Sequence, residues 1–112
     1  LILDAAMNDL MRPSLYNARH EIENINENEG SLDSYTVVGP VCETADSFGD
    51  DFELSAKADD HLVIYSSGAY GSSMGSNYNS RLRPAEILID ADNYEVIRKP
   101  ESFDDLIQLE EI

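Results

Sequence analysis

The chain has 112 residues, enough for one modest domain with one hydrophobic core. Its 23 acidic and 7 basic residues give a formal charge of −16, which argues against nucleic acid and against an anionic membrane surface as partners. No apolar run approaches the ~18 residues of a membrane span, and a single cysteine permits no internal disulfide, so a reducing, cytoplasmic setting is expected.

In chain order, "LILDAAM" opens like the middle of a buried strand. Natural termini are usually loose and polar, so a piece of a longer protein is expected here. Pro13 through His20 predicts a short helix, with proline in the first turn, where its missing N–H costs nothing. Arg12 and Tyr16 lie four apart and share one face. An arginine fork suits a carboxylate and a tyrosine hydroxyl adds a donor; the bland alternative is a surface arginine lying on an aromatic ring. The acidic, Asn-rich stretch 21–34 reads as an exposed connection. "YTVVGPVC" (35–42) and "HLVIYSS" (61–67) read as strands. The acidic and glycine-containing stretch 43–51 and the segment 71–80 read as loops.

Cys42 closes the first of these strands, with Glu43 directly after it. A lone cysteine is most often a small packed hydrophobe. No Lys, Arg or His flanks the thiol, which points away from a thiolate nucleophile and towards a thiol that gives up a proton. "SSGAYGSSMGSNYNSR" (66–81) brings three glycines and many serines around Tyr70. It reads as a loop flexible enough to approach a ligand, or simply as a connection. It lacks the phosphate-loop pattern. His20 and His61 have no partners at metal-ligand spacing, so no metal site is expected. Lys57 and Lys99, the two lysines, lie in polar surroundings and neither resembles a desolvated Schiff-base amine. "AEILIDA" (85–91) and "YEVIRKP" (94–100) predict a hairpin turning at Asp92-Asn93, with Ile87 and Ile89 on its apolar face. "SFDDLIQLEEI" predicts a final short helix capped by Ser102. No internal repeat and no domain boundary is visible. Strands with long polar connections suggest a mainly β domain over 1–112, a small antiparallel Greek-key barrel or sandwich with one or two short helices.

Four segments stand together in one order: "DAAMNDLMRPSLYNA" (4–18), "VVGPVCETAD" (37–46), "GAYGSSMGSNYNSRLRPAEILID" (68–90) and "RKPESFDDLI" (98–107). Jointly they resemble the C-terminal part of the diaminopimelate decarboxylase family, whose members are pyridoxal-phosphate enzymes of the alanine racemase-like fold. The resemblance spans nearly the whole chain and is weakest over 19–34. Thr44 stands where the family usually has serine, Ala5-Ala6 where Ala-Gly is commoner, and Gly75 where serine is frequent. The resemblance implies that Arg12 and Tyr16 bind substrate and that Glu43 meets its distal amino group. It implies that Tyr70 touches cofactor and substrate, and that Cys42 donates a proton across a dimer interface. It further implies a partner barrel domain carrying the cofactor lysine, a second subunit of a homodimer, and meso-diaminopimelate converted to L-lysine. Pyridoxal phosphate would be held mainly by that barrel, so this chain alone is expected to be inactive. Two other readings remain open. One is the equivalent domain of a carboxynorspermidine, ornithine or arginine decarboxylase; the other is a non-catalytic stand-alone assembly or binding domain.

Overall fold

The computed structural model describes residues 1–26 and 30–111, so part of the expected connection at 21–34 and the last residue of the expected C-terminal helix lie outside the described residues. The chain divides into two compact units, Leu1–Gly75 and Ser76–Ile112.

The first unit begins with a parallel bridge between Ile2 and Val38 and a tight turn over Ala6–Leu10, in which the Asp9 and Leu10 N–H groups donate to the Ala6 carbonyl. The short helix α1 (Arg12–Tyr16) follows, with Pro13 in its first turn. It stops earlier than expected because Asn17 turns left-handed at φ 53° and its N–H closes on the Arg12 carbonyl. Asparagine tolerates that conformation better than most residues.

Strands β1 (Ile22–Asn24) and β4 (Leu62–Ile64) pair antiparallel, and β2 (Asp33–Val38) and β3 (Ser47–Leu54) form a second antiparallel pair between them in sequence. Leu10, Ile22, Val37, Phe48, Phe52 and Leu54 make the core. Four expectations need correction. Within 21–34, expected as an exposed connection, Ile22–Asn24 forms β1 with Ile22 in the core, and β2 starts at Asp33. Strand β2 ends at Val38, short of Cys42, because Gly39-Pro40 breaks the ladder. The stretch 43–51, expected as a loop, supplies the first half of β3. Residues 68–74, expected as part of a loop, form helix α2 (Gly68–Met74).

The second unit holds a short 3-10 turn at Tyr78–Ser80, a hairpin of β5 (Glu86–Asp90) and β6 (Asn93–Arg98), and α3 (Phe103–Ile107). Asp90 pairs with Asn93, so the hairpin turns at Ala91-Asp92, one residue earlier than expected, with Ala91 at φ 52°. Ser102 caps α3 as expected, and Asp105 completes a reciprocal capping box. The mainly β class and antiparallel pairing hold. Among the described residues the six strands pair two by two and close no barrel. No described helix is long and apolar enough to cross a membrane.

Candidate functional site

All five expected site residues fall in the first unit, on three segments anchored to the Ala6–Leu10 turn. That turn is itself buried: Ala6 and Leu10 are core-like, and Asn8 is 1% exposed.

Helix α1 leaves the turn directly and carries Arg12 and Tyr16. Helix α2 packs its small residues against the same turn: a Cβ on Gly71 would lie 3.6 Å from the Asp9 carbonyl, and one on Gly75 3.4 Å from that of Asn8. The Gly71 distance is ordinary van der Waals contact, and the tightest neighbour of a Cβ on Gly75 would be the Gly71 carbonyl of α2 itself at 3.1 Å. The packing carries Tyr70 to α1. The Arg12 guanidinium lies 5.1 Å from the Tyr70 ring centroid and 5.8 Å from that of Tyr16. Both tyrosines are more than half exposed, so one cation with two aromatic rings and two phenol hydroxyls faces solvent. Spacing alone left a carboxylate grip and a cation–π contact as rivals. The geometry is a cation–π cluster, and it leaves Arg12 half-buried but not enclosed.

Cys42 and Glu43 sit apart from that cluster in primary structure, on the looped segment from Gly39 to Asp46. Cys42 is exposed, not packed in the core. The Glu43 backbone turns tightly, its N–H donating to the Val41 carbonyl at 2.8 Å and its carbonyl accepting from Asp46 at 3.0 Å. Its Oε1 accepts from the Ala45 N–H at 3.3 Å. Two ties join this loop to the Arg12 segment. Ser14 Oγ of α1 donates to the Ala45 carbonyl at 2.6 Å. The Asp46 carboxylate accepts from the Met7 N–H of the buried turn at 2.7 Å.

Sequence reading missed Asp46, Ser14 and Asn8, none of which carries a catalytic signature. The signal available for Asp46 was its place four residues beyond Cys42 in an otherwise turn-forming segment. Lys57 and Lys99 are both exposed. Among the described residues there is no group of three or more His, Cys, Asp or Glu side chains arranged for a metal ion.

Residues 1–68 match the family described as "Pyridoxal-dependent decarboxylase, C-terminal sheet domain". The chain is 47% identical over 104 residues to the diaminopimelate decarboxylase of Neisseria meningitidis serogroup B, an alignment covering 93% of the chain and 25% of that relative. Its fold superposes on the diaminopimelate decarboxylase of M. jannaschii in complex with L-lysine with a TM-score of 0.93 at 39% identity, covering 99% of this chain and 26% of that one. For the Helicobacter pylori diaminopimelate decarboxylase complexed with L-lysine the TM-score is 0.90 at 47% identity, over 97% of this chain and 27% of that one. The chain thus spans about a quarter of the length of the relatives it matches.

Proposed function

This chain belongs to the family of C-terminal sheet domains of pyridoxal-dependent decarboxylases, and from that premise we propose that it serves the decarboxylation of meso-diaminopimelate to L-lysine. In this reading the domain works in the cytoplasm, beside a barrel domain of the same protein and within a homodimer. The observation that carries the proposal is the clustering of Arg12, Tyr16 and Tyr70. The sequence likeness to diaminopimelate decarboxylases lends it a substrate.

The substrate is zwitterionic at both ends. Arg12 offers a planar donor fork to a carboxylate, preset by its contacts with the two rings. The Tyr16 hydroxyl adds a donor to the same group. Glu43 holds a carboxylate near the tip of the Gly39–Asp46 loop and takes the distal ammonium, exchanging its weak contact to the Ala45 N–H for a charged partner. Cys42 presents an exposed thiol as the proton source for the carbon that has lost carbon dioxide.

Tyr70, more than half exposed beside Arg12, fits a contact at one edge of pyridoxal phosphate. The exposed Lys57 and Lys99 do not fit its anchoring, which is assigned to the barrel. When bound, the cofactor draws electrons from the reacting carbon. This domain reads charge, orients the substrate and delivers a proton.

The experiment is Arg12→Ala in the full-length protein. The expected result is a fall in kcat/KM for meso-diaminopimelate on the order of 10²- to 10³-fold, because a site built to pair a charge is left unpaired. Ornithine and lysine lack the distal carboxylate, and any slow turnover of them should change only a few-fold. An equal loss on both substrate types would overturn the assignment of Arg12 to that carboxylate and revive the readings with ornithine or arginine as substrate.

A further inference from the structure

The loop that presents Cys42 and Glu43 is not part of a helix or strand, yet its backbone is pinned from inside. Asp46 is 4% exposed in a chain whose other acidic residues mostly face water. One carboxylate oxygen, Oδ1, accepts from the Met7 N–H at 2.7 Å. The other, Oδ2, accepts from the Val41 N–H at 2.7 Å. The Asp46 backbone closes the loop from both sides, its carbonyl accepting from Gly39 and its N–H donating to Glu43. A Cβ placed on Gly39 would run into this carboxylate, so the glycine is where the side chain fits.

A buried carboxylate is costly unless its oxygens are satisfied. Here two backbone donors from different segments satisfy it. One belongs to the residue before Cys42, the other to the turn from which Arg12 springs. We infer that Asp46 is a positioning residue: by clamping the Val41 and Met7 amides to one carboxylate it fixes the loop that carries Cys42 and Glu43 against the Ala6–Leu10 turn. The inference rests on the roles given above to Cys42 and Glu43. It adds a residue that touches no substrate and sets where the two others stand.

Asparagine is nearly the same size, but its NH₂ group would face an amide donor where Asp46 accepts twice. Asp46→Asn therefore keeps volume and breaks one clamp. In the full-length enzyme it should lower kcat/KM on the order of 10²-fold, the usual effect of displacing a reacting group by about 1 Å. Two readouts separate positioning from general stability. The first is a cycle with Cys42→Ala. If Asp46 acts through the thiol, Asp46→Asn lowers kcat in the parent but not in the Cys42→Ala background, while the KM rise from a displaced Glu43 survives in both. An equal kcat loss in both backgrounds overturns the inference.

The second readout is the alkylation rate of Cys42 by iodoacetamide, followed by peptide mass spectrometry. It should change several-fold in Asp46→Asn. Unchanged alkylation and activity in a folded variant would overturn the inference. Altered alkylation with full activity would uphold the clamp and overturn instead the role of Cys42 as proton donor. Should Asp46→Asn fail to fold, Gly39→Ala serves in its place. It leaves the carboxylate in the chain, pushes it off its donors, and is expected to give the same pattern.

Discussion

At the residue scale, Arg19 is a structural side chain of the first unit that binds through both its plane and its N–H groups. Its guanidinium lies 4.1 Å from the Phe52 ring centroid, while Nη1 donates to the Asp50 carbonyl at 2.8 Å and Nη2 to the Asp51 carbonyl at 3.1 Å. Those carbonyls belong to the irregular stretch of β3, where Gly49 sits at φ 128° and Asp51 at φ 57°. Arg19 therefore holds a strained bulge with a fork and a flat stack at once. Lysine offers neither, being a compact charge on a flexible stem. Arg19→Lys is expected to lower stability by about 1–2 kcal/mol. The test is urea unfolding, where the midpoint should fall without a change in slope. An unmoved midpoint would mean that the β2–β3 ladder alone holds the bulge. Arg19 gave no signal in the sequence, since its partners are backbone carbonyls that any residue could supply. Arg12, Tyr16 and Tyr70 were legible as candidates because cation and aromatic types announce their chemistry. That Cys42 is exposed was not legible, because exposure depends on Asp46 drawing the loop inward around itself.

At the element scale, local rules worked where the element is held by local bonds. Helix α3 is the clear case: its Ser102 cap and acidic first turn are visible in four letters, and the structure forms the box with Asp105. Strand β3 is the opposite case. Phe48, Phe52 and Leu54 all face the core at even spacing, but the register slips between the Tyr35 and Val38 pairs, and Asp50, which falls on the same parity between the two phenylalanines, is exposed. With acidic residues between them, the pattern reads as a loop. Helix α2 was hidden because glycine and serine are poor helix formers and the turn it lies against is some sixty residues earlier, outside any local window. The capping box also makes α3 sensitive to acid. Hydrogen bonds from the Ser102 N–H and hydroxyl hold the Asp105 carboxyl below its ordinary range. A carboxyl held low stabilises the fold above the unfolded range, near pH 4, and that contribution is lost as pH falls through the lower folded value. The helix is thus expected to persist to about pH 4 and to loosen below it. Ser102→Ala should shift the helix–coil balance about five-fold towards coil and return the Asp105 carboxyl towards its usual value. Carboxyl-carbon NMR titration compares the unaltered chain with the variant; an Asp105 titration that does not move in Ser102→Ala would refute the box as its cause.

At the scale of the whole molecule, two opposed features meet. No described residue of the second unit is buried, and Ile87, Leu88, Ile89, Tyr94, Val96 and Ile97 are each about half exposed or more. A two-stranded hairpin with so little covered surface is marginal by itself, and apolar area of this kind favours association. The net charge of −16 opposes it. Like-charged chains repel over about one Debye length, ~30 Å at 0.01 M salt and ~3 Å at 1 M. Apolar attraction is not screened in that way. The two terms therefore trade dominance as salt is added. The 112-residue chain is expected to sediment as a monomer in 0.01 M sodium chloride and to associate reversibly in 1 M, with a loss of dye-accessible apolar surface. Sulfate should act at lower concentration than chloride, since excluded salts also strengthen burial. Velocity sedimentation across the series measures the shift. A chain that stayed monomeric at 1 M would show that the exposed side chains are too dispersed to form a contact. A chain that associated equally at 0.01 M would show that its acidic residues lie away from the contacting face, where their repulsion has no purchase.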